Sequence, residues 1–317
     1  MRKDTEKKNI ENAAVILRKG GVVAFPTETV YGLGADAYNP EAVARIFEIK
    51  RRPRFDPLIV HVSDIAQAKT LVNDFPEKAR LLVNNFWPGP LTIVLPKAQS
   101  VPDIVTAGLP NVALRMPEKT TALQLIKQLG RPLAAPSANP FGYISPTQAQ
   151  HVEKQLGQEV DLILDGGSCA VGVESTVISL VDQQPRLLRA GGVPLEEIEQ
   201  TIGAVEVSRR VSECPDAPGQ LPQHYAPRTR LVSGVNADDF ADDLRLGLLA
   251  FQKPTCVDKF YAVEFLSENG DLKEAAANLF AALNRLDNLG LDVIITEKVP
   301  DIGLGRAIND RLNRAAL

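Results

Sequence analysis

"IFEIKRRPRFDPLIVHV", residues 46–62, contains a helix end, a stiff cationic turn and the start of a buried strand. Working backward from it, Asn39 reads as an N-cap and Pro40 as the first helical position. Glu41 falls in the first turn, and Val43, Ile46 and Phe47 share one apolar face. The helix has to stop before Pro53, because the residue ahead of a proline is pushed out of the helical region. Working forward, Leu58-Ile-Val-His-Val62 is a β-branched run, and alternation places His61 opposite Val60 and Val62.

The same exchange of short β-branched runs and helical patterns continues to about Gly203. It predicts strands over 21–25, 58–62, 91–95, 112–115, 133–135, 162–164 and 175–181. Helices stand between only some of these, so the expected α/β fold has a twisted mixed sheet. After Gly203 the periodicity stops, and Pro215, Pro218, Pro222 and Pro227 mark a linker. The expected organisation is a first domain over 1–203, a proline-rich linker over 204–228 and a second domain over 229–317. In the last of these the pattern predicts a strand from Arg230 and a helix over 237–246. Strands over 247–251 and 260–265, a helix over 272–288, a strand over 293–296 and a helix from Gly305 follow. This is a smaller, Rossmann-like α/β domain, and there is no internal repeat.

With 317 residues and 44% hydrophobic content the chain can bury a large core and suggests about two domains. No run approaches the roughly 18 apolar residues of a membrane span, so no membrane contact and a cytoplasmic location are expected. Cys169, Cys214 and Cys256 are too scattered for a disulfide framework or a zinc knuckle. His61, His151 and His224 lack the spacing of local metal ligands, so no dedicated protein metal site is expected. From Thr229 onward, ten Lys/Arg stand against fourteen Asp/Glu, so that segment carries the whole net charge of −4. A sequence pI near 5.6 argues against a protein that coats nucleic acid through bulk charge.

Lys50, Arg51, Arg52 and Arg54 are therefore a local feature. A helix macrodipole accounts for cations at the helix end, worth about 0.3–1 kcal/mol each, but not for Arg52 and Arg54 beyond it. Stiffly held guanidinium groups make sense against a polyanion, since the repulsion and ordering are then met before binding. At an effective dielectric near 20, two charges roughly 4 Å apart are worth about 4 kcal/mol, so a triphosphate would offset the repulsion. Familiar phosphate loops are absent: Gly167 and Gly172 have the Walker spacing, but Val173 and Glu174 follow. Gly32-Leu-Gly34 matches a dinucleotide fingerprint only loosely, and no G-x-S-x-G is present.

Several stretches together point further: "GGVVAFPTETVYGLGADA", "KRRPRFDPLIVHV", "NFWPGPLTIVL", "VALRMP", "APSANPFGYISPT", "GVESTVISL", "LLRAGGV" and the linker's "PGQLPQHYAP". In this order they resemble the YrdC-type L-threonylcarbamoyladenylate synthases in their long, two-domain form. The resemblance implies that ATP, bicarbonate and L-threonine yield threonylcarbamoyl-AMP and pyrophosphate. It further implies Mg²⁺ carried with ATP, and a transferase partner that places the threonylcarbamoyl group on the adenosine beside the anticodon of tRNA. Direct tRNA binding by this chain is expected to be weak or absent.

The resemblance assigns Lys50 and Arg52 to clamping the ATP phosphates as the catalytic cations. It puts threonine contacts on Thr29, His61, Arg115 and Ser175. It puts nucleotide contacts on Arg52, Ser137, Asn139, Ser145 and Arg189, with Asp56 beside them where the family often has asparagine. A carboxylate there repels phosphates unless it meets Mg²⁺ or a neighbouring arginine. Ser145-Pro-Thr-Gln148 also reads as a capping box with proline at the first helical position. His224 and Tyr225, an aromatic pair in a proline-rich connection, are expected to fold over the nucleotide as a lid. The rival reading is a non-catalytic RNA-binding module that grips double-stranded RNA or tRNA through the 50–54 cations.

Overall fold

The computed structural model describes residues 2–207, 224–255 and 257–316. The opening stretch behaves as read. Its helix spans Pro40–Lys50, with the Asn39 side chain accepting from the Glu41 and Ala42 N–H groups. It ends at Arg51, which takes the left-handed conformation (φ 52°) and returns its N–H to Glu48 O. Ala42, Val43, Ile46 and Phe47 are buried on its inner face.

The first domain is built on one ten-stranded sheet. Its strands are β1 (Val23–Phe25), β2 (Gly32–Asp36), β3 (Ile59–His61), β4 (Leu91–Pro96), β5 (Asn111–Arg115), β6 (Leu133–Ala134), β7 (Leu162–Ile163), β8 (Thr176–Ser179), β9 (Arg186–Arg189) and β10 (Glu206–Val207). Their order is β10-β9-β8-β4-β5-β3-β6-β2-β1-β7. Parallel pairs such as β3 with β5 and β4 with β8 alternate with antiparallel ones such as β4 with β5 and β1 with β2. The sheet is therefore mixed, as predicted from the uneven distribution of helices.

Every strand expected in this domain is present, although β2, β9 and β10 were not anticipated. The residues of β2 had been weighed as a loose nucleotide fingerprint. In the fold Gly34 lets the Phe25 ring lie against the strand: a Cβ there would come within 2.7 Å of Phe25 Cε1. These glycines serve side-chain packing.

The second domain holds a four-stranded parallel sheet: β11 (Arg230–Ser233), β12 (Leu246–Gln252), β13 (Ala262–Ser267) and β14 (Val293–Thr296), ordered β11-β14-β12-β13. Helices Leu272–Asp287 and Gly305–Ala315 accompany it. The helix expected over 237–246 is a correction. Asn236 and Asp239 form a capping box around a single 3-10 turn, Ala237–Asp239. Residues 241–245 are exposed, so no apolar stripe docks the segment and nothing propagates the turn. Most of the expected linker falls on 208–223, outside the described residues.

The domains share a core. Val30, Ile144 and Val173 of the first domain join Tyr225, Leu279, Phe280, Leu283 and Ile308 in one buried cluster. Gly172 (φ 75°) permits this contact, since a Cβ there would lie 2.3 Å from Ala276 O and 2.4 Å from Ala277 Cα. The loop leading to Ser175 is thereby pressed against the second domain.

Candidate active site

A cleft opens where several chain segments converge. Thr27, Thr29 and Val30 follow β1, His61 ends β3 and Arg115 ends β5. Ala135, Pro136 and Ser137 follow β6, Glu174 and Ser175 precede β8, and Arg189 ends β9. His224 and Tyr225, where the chain enters the second domain, complete the wall. Because β3 and β5 are parallel with His61 opposite Arg115, alignment of two strands places these side chains together. A crevice beyond strand carboxyl ends is where open α/β sheets bind ligands.

Three arginines line the cleft, each at most 7% exposed. Arg115 Nη2 donates to Glu28 Oε1 at 2.6 Å and its Nε to Gly89 O at 3.3 Å, while Glu28 Oε2 accepts from the Glu118 N–H. Arg52 donates to the carbonyls of Asp56 and Pro57 and pairs with Asp56 Oδ2 at 2.8 Å. Arg189 donates from Nε and Nη2 to Ser175 O, and from Nη2 to Ser175 Oγ at 3.1 Å. Ser175 Oγ also meets Thr92 Oγ1 at 2.7 Å. Burial lowers the pKa of Arg52 and of Arg189 from the ordinary guanidinium value.

Two neutral imidazoles complete the electrostatics. Burial, then the adjacent Arg115 charge, lowers the His61 pKa to about 3, and the ring meets Phe25 edge-on at 5.8 Å. Burial and the charges of Arg52, Lys50, Arg189 and Arg311 push His224 well below the usual value. Its ring stacks edge-on against Phe141 and Tyr225. Tyr225 holds a left-handed backbone (φ 68°), a conformation costing a bulky residue about 1–3 kcal/mol and concentrated at functional sites.

His61 Nδ1, His224 Nδ1 and the Tyr225 hydroxyl are all buried without a hydrogen-bond partner. Each such atom costs about 1–3 kcal/mol, and folded proteins keep few of them. Their concentration around one cleft, among three arginines, is what a site built for a polar, anionic ligand requires.

Four expected contact residues do not line this cleft, and for each the structure shows another use. Lys50 Nζ donates to the backbone carbonyls of Ser137 (2.6 Å) and Asn139, bracing the 135–139 loop from behind. Burial, with Arg52 beside it, pushes its pKa well below the usual lysine value. Asn139 Nδ2 ties the same loop to the carbonyls of Pro140 and Tyr143. Asp56 meets the neighbouring Arg52, the second of the two circumstances in which a carboxylate is tolerated there. Burial raises its pKa against the opposing charges of Arg52, Lys50 and Arg189.

The capping box read at Ser145 is a correction. The helix begins only at Ala149, with Gln148 at its N-cap and no side-chain cap. Ser145 Oγ instead donates to Glu174 Oε1 at 2.5 Å. With the helix starting four residues later, Ser145 has no free helix N–H to cap, and its hydroxyl hydrogen goes to the buried carboxylate. Arg51 and Arg54 are exposed, in keeping with their place outside the Lys-x-Arg motif.

Sequence reasoning passed over Glu28, Glu174 and Arg311. The two glutamates lie inside quoted motifs, directly before Thr29 and Ser175, and their burial beside arginines is the missing signal. Arg311 sits on the last helix of the second domain, far from any motif, and is the largest fully buried side chain.

Two family models account for nearly the whole chain. One, described as "Telomere recombination", matches residues 15–191, and "Threonylcarbamoyl-AMP synthase, C-terminal domain" matches 193–317. The chain belongs to the two-domain threonylcarbamoyl-AMP synthase family. It is 42% identical to the Pyrococcus abyssi synthase, covering 100% of this chain and 96% of that one, and 44% identical to the Bacillus subtilis synthase, covering 98% and 94%. The crystal structure of the P. abyssi protein complexed with L-threonine superposes with a TM-score of 0.92, covering 98% of this chain and 94% of that one. A Mycobacterium tuberculosis relative is 36% identical over 200 residues, which cover 63% of this chain and 92% of its own length. That relative is too short to hold both domains of this synthase family's long form.

Proposed function

We propose that this cleft forms threonylcarbamoyl-AMP and pyrophosphate from L-threonine, bicarbonate and ATP, the last entering as its magnesium complex. The observation that supports the reading best is the convergence of Arg52, Arg115 and Arg189 with the unpartnered polar atoms of His61, His224 and Tyr225. Threonine's amine attacks bicarbonate and water leaves, giving a carbamate. A carbamate oxygen then attacks the α-phosphorus and pyrophosphate departs, so the nucleophile is supplied by substrate. What the protein contributes is alignment and fixed positive charge in a water-poor cleft.

The division of labour follows from position. Arg115, steadied by Glu28, takes the threonine carboxylate through a charge-assisted contact, and neutral His61 beside it takes the hydroxyl. Thr29 and Ser175 border the same end of the cleft. Arg52, Ser137 and Arg189 face the nucleotide, and Lys50 and Asn139 hold the loop that carries Ser137. His224 and Tyr225 cover it, with Phe141 behind. The product passes to a transferase acting on tRNA in the cytoplasm. A double-stranded RNA module needs accessible cations, whereas Lys50 and Arg52 are 1% and 7% exposed.

Pyrophosphate and the AMP adduct, measured while ATP, threonine and bicarbonate are omitted in turn, test the reading. Product formation should require all three. Pyrophosphate release that ignores threonine would overturn it.

A further inference from the structure

The second domain sends one charged side chain to the back of the cleft. Arg311, on the helix Gly305–Ala315, is 0% exposed. Its Nε donates to Glu174 Oε2 at 2.8 Å, and its Nη1 donates to Ala190 O at 2.9 Å and to Asp310 Oδ2. Its guanidinium carbon lies 5.1 Å from the Tyr225 ring centre. One side chain thus touches the carboxylate that lines the cleft, the residue after Arg189, and the aromatic lid.

We propose that Arg311 is a positioning residue for nucleotide binding, through which the second domain completes the active site by anchoring Glu174 and seating Tyr225. This rests on the nucleotide reading of the cleft given above. Glu174 is the shared element: Oε1 is held by Ser145 and Oε2 by Arg311, so both oxygens are turned to the back wall. Burial alone would raise the Glu174 pKa, but Arg311, Arg189 and Ser145 together bring it below the ordinary value. The ionised carboxylate accepts the Ser145 proton, which leaves that hydroxyl only lone pairs to offer.

Without Arg311, Glu174 would keep Arg189, Lys50, Ser145 and Tyr225 around it and lose its ion pair, the one it makes among the described residues. It would protonate at higher pH, hold the Ser145 hydroxyl less firmly and be free to leave the back wall.

The test compares wild type, Arg311→Met and Arg311→Lys as full chains. ATP affinity is measured by calorimetry, and pyrophosphate release as a function of ATP, threonine and pH. The methionine variant should lose tenfold or more in ATP affinity with the threonine KM little changed. Its rate should fall at pH values at least one unit above the wild-type acid limb, because Glu174 now protonates there. Lysine, which keeps the charge but loses the fork, should restore part of the affinity and move the limb back. In a Glu174→Gln background the shift of the limb on replacing Arg311 should vanish.

Unchanged ATP affinity and an unmoved limb in Arg311→Met overturn the proposal. If that variant does not fold, unchanged values in Arg311→Lys do the same. Calorimetric ATP binding keeps the outcome separate from the reaction assignment, which fails instead if wild type shows no threonine dependence.

Discussion

Two buried arginine–glutamate pairs border the same cleft and make contacts of nearly equal length, Arg115 to Glu28 at 2.6 Å and Arg311 to Glu174 at 2.8 Å. They differ in which partner faces the ligand. In the first pair both residues belong to the first domain, and the arginine lines the cleft with the glutamate steadying it. In the second the glutamate lines the cleft, and the arginine reaches it from the other domain. On the proposed reading one pair presents positive charge to substrate, whereas the other neutralises a carboxylate that would repel it. A buried ion pair is weak evidence of stability by itself, and here its value lies in orientation.

The comparison breaks most sharply at Arg52, which lines the cleft and on the proposed reading faces the nucleotide. Arg52→Ala should cut kcat/KM by about 10²–10³-fold with the circular dichroism spectrum intact. If its loss were no larger than that of Arg311→Met, the distinction between facing and backing residues would fail. Next in size is Arg115→Ala, which should raise the threonine KM by about 100-fold, a charge-assisted bond lost, with the ATP KM little changed. An unchanged threonine KM would remove Arg115 from the threonine end.

Acid stability probes both walls together, since His61 stands beside Arg115 and His224 beside Arg52 and Arg311. Both folded-state pKa values are depressed, so below the ordinary value of about 6.5 the unfolded chain binds protons that the folded chain refuses. Stability should be full above that pH and fall as pH drops toward 3, by up to about 1.4 kcal/mol per pH unit for each imidazole. Urea melts at pH 7.5, 6.5 and 5.5 would show the trend, and a flat profile would mean the rings are not held neutral.

Smaller changes sharpen the contrast. Glu28→Gln keeps a hydrogen bond to Arg115 but removes the charge, and should raise the threonine KM by roughly tenfold, matching about 1.4 kcal/mol. Tyr225→Phe deletes a buried hydroxyl with no partner in the fold. Its melting midpoint should move by little or upward, while the ATP KM rises a few-fold if ligand supplies the missing partner. A lowered midpoint with unchanged ATP KM would make that hydroxyl structural.

Much of the cleft was legible because its residues sit at strand ends, which hydrophobic patterning locates. The β-branched run ending at His61 and the strand ending at Arg115 could both be read, and parallel pairing sets the two side by side. Resemblance to a family supplied what periodicity could not, namely which of many buried polar residues belong together. Where only local rules were applied, the fold decided against them. Ser145 reads as a helix cap, but the helix starts only at Ala149, and the acidic segment after Asn236 reads as a helix until its exposure shows no surface to dock on. The N-terminal helix Arg2–Arg18 has a charged start that conceals Ile10, Ala13, Ala14 and Leu17, which pack on helix Thr120–Leu129.

From the sequence alone came the two α/β domains, the helix between Asn39 and Arg51, most strands, and the set of residues expected around a nucleotide and an amino acid. The elements depend on short-range periodicity, capping and proline sterics, which act over a few residues, and the residue set on motifs that resemble a family's. Tertiary structure alone decided that Lys50 braces a loop 87 residues away, and that Arg311 reaches Glu174 across 137 residues of chain. Such pairings are set by which surfaces a shared core brings together, and no local pattern encodes a contact made over that distance.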